Sequence, residues 1–263
     1  MQVSKWGGEE QSLVSTWEEY EAYPWPHPDA IDYTNLEACA RVLYPGMKII
    51  SGVGGIFTRV WRIMGFDTFC YALVDQPALV AALFRRVGET QAEVFRRIVE
   101  MDQIGAMWYG DDLAYYSGTM VHPKVLRKYL FPYMEQMGAI CREKDLPFVL
   151  HSDGNLWAVL PDLLACGLNA LHPIEPKAMD SRELKERYGD RLCLLGNVEI
   201  GETLTLGTPA DVEAEVRERI RTLGPGGGYA VGSSNTVAHY VRLENFRALI
   251  QATRNYGNYP IAV

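Results

Sequence analysis

The sequence predicts an α/β chain of the (β/α)₈ TIM-barrel class with a shortened N-terminal part. Three observations carry that reading. Six short apolar runs alternate with segments of helical period, the pattern of a parallel sheet whose strands are covered on both faces. The first run leads through Gly52-Val53-Gly54-Gly55-Ile56-Phe57, which lacks the G-x-G-x-x-G spacing of an open dinucleotide-binding sheet. The later runs end in polar residues, as strands do at the C-terminal face of a barrel.

Taken in order, the first thirty residues are rich in aromatics and turn formers. The run Tyr23-Pro24-Trp25-Pro26-His27-Pro28-Asp29 cannot continue a helix or a central strand, so residues 1–30 read as an ordered arm packed on the domain. The strands are expected at residues 47–53, 104–108, 148–151, 168–172, 192–196 and 229–232. Helical period marks residues 77–101, 123–144, 181–187, 209–223 and 243–255, with Pro132 kinking the second of these. The glycine-rich stretch Gly224-Pro225-Gly226-Gly227-Gly228 comes before the last strand, so it reads as a sharp helix-to-strand connection and not as a phosphate loop. A complete barrel has eight strands, and the shortfall lies at the N-terminal end. No repeat or linker divides the chain, and residues 1–263 are expected to form a single barrel domain.

With 263 residues, 48% of them apolar, the chain can bury a sizeable core. A net charge of -8 leaves no broad basic surface for nucleic acid or an anionic membrane. No apolar stretch is long enough to span a bilayer. The five cysteines are widely spaced without a C-x-x-C pair, which fits a reducing cytoplasm better than a disulfide framework or a zinc ribbon.

Functional residues are expected just after the strands. The polar groups there are Asp111 and Asp112, then His151 and Asp153, His172 and Glu175, Asn197 and Glu199, and Asn235. Asp, Asn and Ser are good helix caps, and that reading comes first for Ser181, Thr208 and Asn235. It explains His151 and His172 poorly, because imidazole is not a preferred cap. In an extended backbone His151 and Asp153 point the same way. The pair can orient an imidazole for proton transfer, ligate a metal, or bind polar groups of a substrate. Asp111 and Asp112 are adjacent, so only one is expected to reach the pocket.

Several stretches carry a resemblance to a known superfamily. Gly110-Asp111-Asp112-Leu113, Ser117-Gly118 and His122-Pro123 are three of them. Val149-Leu150-His151-Ser152-Asp153-Gly154-Asn155, His172-Pro173-Ile174-Glu175-Pro176 and Gly196-Asn197-Val198-Glu199 are others. In this order and spacing the chain resembles the uroporphyrinogen decarboxylase superfamily. The opening Lys5-Trp6-Gly7, with Thr16-Trp17-Glu18-Glu19 and Tyr23-Pro24-Trp25-Pro26, is similar to its cobamide-dependent methyltransferase branch. The resemblance implies a TIM barrel and further βα structure ahead of the Trp-Gly segment. In the coenzyme M methyltransferases of the superfamily, a His-x-Cys pair and a distant Cys bind zinc. His151 matches that histidine, Asp153 stands in place of the first cysteine, and Asn235 falls close to the second.

The expected function is therefore methyl transfer between a small-molecule substrate and a corrinoid carried by a partner protein. His151, Asp153 and Asp112 are the expected catalytic residues, and Asp111, His172, Asn197, Glu199 and Asn235 the substrate-binding ones. His151 and Asp153 are the candidate ligands for zinc or another divalent metal. A homodimer is the assembly in view, and no nucleic acid or membrane partner is expected. The enzymatic alternative is decarboxylation of a tetrapyrrole or another carboxylated substrate, for which Arg59 and Arg62 are the nearest cations. The third alternative is a barrel that binds a ligand without turnover.

Overall fold

The computed structural model describes residues 12–261, so Lys5-Trp6-Gly7 lies outside the described residues. A six-stranded parallel sheet has the strand order of the chain itself, and a two-stranded hairpin stands apart from it. A doubly wound sheet would reverse direction at its midpoint; this one does not, as expected of the barrel class. By backbone contacts the chain divides into two units. One takes the residues up to Asp112 with His122–Phe148 and Ala165–Gly167, and the other takes Leu113–Val121, Val149–Leu164 and the chain from Leu168 onward.

The first unit begins with α1 (Trp17–Ala22), opened by a capping box in which Thr16 and Glu19 satisfy each other's backbone N–H. A 3₁₀ turn at Pro28–Ala30 and α2 (Thr34–Arg41) follow. Then come β1 (Ile49–Gly54), α3 (Ile56–Met64), α4 (Phe66–Asp75), α5 (Pro77–Val99) and β2 (Ile104–Gly110). β1 and β2 pair in parallel, with Gly52 opposite Trp108. A Cβ at Gly52 would lie 1.6 Å from the Trp108 carbonyl oxygen, so this register requires glycine. Helix α5 buries Leu83, Phe84, Val87, Phe95 and Ile98 along one stripe, the apolar period that marks it in the sequence.

Residues 123–144, expected as one kinked helix, form two: α6 (Pro123–Tyr129) and α7 (Phe131–Glu143). Pro132 sits in the first turn of α7, where a missing N–H does no harm, and it has none to offer a preceding turn. Phe84 stacks on Tyr129 at 5.4 Å, and Phe95 meets Phe148 edge-on at 5.7 Å. Arg59 and Arg62 lie on a helical pattern in the sequence, and α3 carries both, whereas α4 shows no such signal. Gly65, at φ 78°, separates them and marks the break.

The second unit opens with the hairpin β3 (Ala114–Tyr115) and β4 (Gly118–Thr119). It continues with β5 (Phe148–His151), α8 (Leu160–Ala165), β6 (Ala170–His172), α9 (Ser181–Tyr188) and β7 (Cys193–Val198). A π-helical turn at Ile200–Leu206, α10 (Pro209–Leu223), β8 (Tyr229–Ser233) and α11 (Leu243–Tyr256) complete it. Val198, Leu204, Val212, Val216, Ile220 and Leu249 form an apolar cluster joining β7, α10 and α11. The expected α10 boundaries hold, and Thr208 caps that helix in a second capping box. Ser181 does not cap α9: Asp180 does, accepting from the N–H groups of Arg182 and Glu183, because a carboxylate one residue earlier reaches both orphan donors. Asn235 caps no helix either, since α11 begins only after Arg242. Gly226, Gly227 and Gly228 all have positive φ in the connection that leads into β8.

Candidate functional site

The apolar residues Phe148, Val149 and Leu150 are buried in β5, and the strand surfaces at His151. β6 does the same at His172. In the β5–β6 register these two residues are direct partners, so their side chains lie on one face of adjacent strands. The rings are 5.0 Å apart between centroids, and the two Nδ1 atoms are 2.7 Å apart. Burial, and then the neighbouring His151 ring, lowers the pKa of His172 to about 4, so His172 is neutral at neutral pH.

Beyond the strand, Ser152 is buried and its Oγ accepts the Leu113 N–H at 3.0 Å. Asp112, half-buried, is the residue bonded to Leu113. Asp153 Oδ2 accepts from Asn235 Nδ2 at 2.9 Å, and Asn235 Oδ1 accepts the Thr236 N–H at 2.7 Å. A ligand atom of His151 and one of Asp153 lie within 4.8 Å of each other. The turn at Gly154 (φ 84°) gives its N–H to Glu175 at 3.2 Å. A Cβ there would lie 2.5 Å from the Ala114 carbonyl oxygen, so the hairpin loop closes tightly over it.

A pocket of about 110 Å³ opens beside these groups, lined by Asp153, Glu175, Lys177, Glu199, Ser234 and Asn235 with Pro176 and Ile200. Glu199 caps the π-helical turn, accepting from Glu202 and Thr203. Its own N–H is held by Glu215 Oε1 at 3.1 Å. Lys177 is 3.0 Å from Glu202 and 4.0 Å from Glu199. Three carboxylates therefore face one lysine, and that lysine is already paired.

The remaining candidates are placed differently. Asn197 is fully buried at φ 75°, donating through Nδ2 to the Ile174 carbonyl at 2.6 Å and through its N–H to the Pro173 carbonyl at 3.0 Å. It braces the turn that follows His172. Asp111 lies in the first unit, 1% exposed. Its carboxylate accepts from Phe57 N and Thr58 N at the start of α3, from Thr58 Oγ1, and from Tyr109 OH at 2.6 Å. Burial holds that carboxyl above the usual range, although the four donors pull the other way. Arg59 and Arg62 are exposed on α3.

Glu175 was among the polar strand-end groups in the sequence but was given no role, and Lys177 stood outside them. Glu175 follows β6 in the same strand-end pattern as the others and was within reach of that rule. Ser152 and Ser234 carry the same strand-end signal, whereas Lys177 gave none, and what each of the three touches depends on which loops meet.

The chain matches the family described as "Uroporphyrinogen decarboxylase (URO-D)" over residues 10–256. It belongs to that family. Among curated proteins it is 30% identical over 227 residues to "Methylcobamide:CoM methyltransferase MtaA" of Methanosarcina barkeri, covering 81% of this chain and 59% of that protein. It is 23% identical over 145 residues to "Uroporphyrinogen decarboxylase" of Coxiella burnetii, covering 53% of this chain and 38% of that one. Among solved structures a methyltransferase from Methanosarcina mazei superposes with a TM-score of 0.71 at 22% identity, covering 85% of this chain and 63% of the other. The fold is thus shared with a methyltransferase of known structure. The chain spans about 59% of the length of the MtaA relative. No helix among the described residues is long and apolar enough to cross a membrane.

Proposed function

We propose that this chain is a methyltransferase component that moves a methyl group between a small substrate and a corrinoid borne by a separate protein. The observation that carries the proposal is the imidazole and carboxylate of His151 and Asp153 at the end of β5, in a chain 30% identical to a methylcobamide-dependent enzyme. Removing a methyl group as a cation equivalent leaves an electron pair on the substrate heteroatom. That pair needs a proton or a cation, and His151 and Asp153 stand where either can be supplied.

The donor set decides which metal suits this chain. Asn235 turns its amide nitrogen to Asp153 and its oxygen to Thr236, and no thiolate belongs to the set. Imidazole and carboxylates fit a divalent ion with nitrogen and oxygen ligands, including zinc, but not a thiolate-rich centre of the His-x-Cys kind. His151 and Asp153 would hold such an ion. Bound there, it would act as a Lewis acid toward the leaving heteroatom.

The acidic pocket also bears on the decarboxylase reading. A polycarboxylate substrate needs several cations at the mouth, whereas the pocket of the second unit offers Lys177 against Asp153, Glu175 and Glu199. The test is direct. Purified protein is incubated with reduced cobalamin and an aryl methyl ether, a methylated amine or a methylated pterin, and in parallel with uroporphyrinogen. Methyl transfer that is lost in His151→Ala supports the proposal. Carboxyl loss from uroporphyrinogen without methyl transfer would replace it with the decarboxylase reading, and binding without turnover would replace it with a ligand-binding role.

A further inference from the structure

We infer that the second unit carries a phosphate-binding site: a cavity of about 380 Å³ bounded by the segment after β6, the start of α9 and α10. Lys177, Ser181, Arg182 and Arg219 supply its donors, and Asp180 is the one carboxylate in its lining. It adjoins the pocket at Asp153, with which it shares Pro176 and Lys177. The inference does not rest on methyl transfer, since neither His151 nor Asp153 lines this cavity.

Each cation is held by a carboxylate that stands outside the lining: Lys177 by Glu202, Arg182 by Glu218 and Arg219 by Glu215. The cavity itself therefore meets three positive side chains and one negative one. The guanidinium groups keep donors to spare. Arg219 spends Nε and Nη2 on Glu215 Oε1, and Arg182 spends Nη2 on Glu218, so both Nη1 groups lack an acceptor among the described residues. Asp180 is committed to α9, where its Oδ1 accepts the Arg182 and Glu183 N–H groups at 2.8 and 3.3 Å. Ser181 is the residue that points to a ligand. It is only 4% exposed, it lines the cavity, and its hydroxyl makes no hydrogen bond among the described residues. A hydroxyl so buried is normally paired, and the cavity is the side from which a partner reaches it.

The chemistry of the ligand follows from these donors. Lys177 comes from the segment after β6, Ser181 and Arg182 from α9, and Arg219 from α10, so three elements converge on one acceptor. A tetrahedral group with three terminal oxygens accepts from all of them, whereas a carboxylate offers two oxygens in one plane. The cavity is larger than a phosphate ion and falls within the ~300–1,000 Å³ of small-molecule sites. Pro176 and Ala178 add apolar wall beside the donors. The ligand class is a phosphomonoester of a small organic body, with inorganic phosphate its smallest member.

Inorganic phosphate, phenyl phosphate and acetate are each titrated into the full chain by calorimetry at constant ionic strength. Both phosphates are expected to bind saturably at one site, and acetate at least about tenfold more weakly. Tighter binding of phenyl phosphate identifies a phosphomonoester as the ligand, and equal affinity identifies the phosphate group alone. Arg182→Gln should weaken phosphate at least about tenfold, as for a charge-assisted bond, and Ser181→Ala about 3–10-fold, as for a neutral one. Melting midpoints of both variants should stay near wild type, because Asp180 still caps α9. Arg187→Gln, on the same helix but outside the lining, should leave the affinity unchanged. Absence of saturable phosphate binding, or wild-type affinity in both Ser181→Ala and Arg182→Gln, would overturn the inference. An equal loss in Arg187→Gln would also overturn it, by assigning the binding to the general charge of α9, and acetate binding as tight as phosphate would overturn the ligand class. Each of these results leaves the reading of His151 untouched.

Discussion

Replacing Asp111 with Asn separates a structural strut from a substrate contact. Each carboxylate oxygen accepts two hydrogen bonds: Oδ1 from Thr58 N at 2.8 Å and Thr58 Oγ1 at 2.7 Å, Oδ2 from Phe57 N at 2.8 Å and Tyr109 OH at 2.6 Å. An amide keeps one acceptor, and in either orientation its NH₂ faces a backbone N–H at the start of α3. The hydroxyl on that side can turn to accept from the NH₂, but the backbone N–H is stranded, at about 1–3 kcal/mol for an unsatisfied buried donor. Relief of the buried charge offsets part of this. The net loss expected is roughly 1–3 kcal/mol, a sizeable share of the ~5–15 kcal/mol that holds a domain together. Urea unfolding followed by circular dichroism measures it. Gly55→Ala should destabilise by the same route, because its Cβ would lie 2.0 Å from Asp111 Oδ1. The reasoning is wrong if Asp111→Asn unfolds with wild-type stability, or if Gly55→Ala leaves the midpoint unmoved.

Three further outcomes follow from the site. His151→Ala should lower methyl transfer by at least about 100-fold while costing about 1–2 kcal/mol through the lost bond to His172; steady-state rates and thermal melts read the two separately, and near-normal turnover would remove His151 from the chemistry. Asp153→Asn keeps an oxygen for Asn235 Nδ2 and so should keep the fold, but its affinity for a divalent ion should fall at least about tenfold because an amide is a poor ligand; titration with Mn²⁺ or Zn²⁺ checks it, and unchanged affinity would argue against Asp153 as a ligand. His172, lowered from 6.5 to about 4, binds fewer protons folded than unfolded, so its contribution is fully present above the unfolded value and drains as pH falls through the folded one. Stability should decline between pH 6.5 and 4 by about 1–3 kcal/mol for this half-buried group, read as a falling melting midpoint, and His172→Asn should flatten that part of the curve.

Much of the frame was legible in the sequence. Buried parallel strands are near-continuous apolar runs, so Phe148-Val149-Leu150 announced β5 to the residue, and the remaining strands shifted only at their ends. Helices α5 and α10 were readable because their apolar stripes run for many turns. Helix α3 showed only as the helical pattern around Arg59 and Arg62, and α4 not at all, because Gly65 cuts the period into short pieces; the hairpin of β3 and β4 offers only two residues per strand.

The site divides along the same line. Position at a strand end is a one-dimensional property, and the sequence by itself determined that His151, Asp153, His172 and Glu199 would be presented together with the polar ends of their strands. What each group is bonded to depends on which loops meet, and only the tertiary structure decided it. Asp111 and Asp112 are neighbours of identical chemistry. The fold turned Asp111 onto the start of α3 and left Asp112 half-buried beside Leu113. His151 and His172 are twenty-one residues apart in the chain. Their pairing exists because β5 and β6 align in a register that no local pattern encodes, since register is settled by the packing of both strands at once.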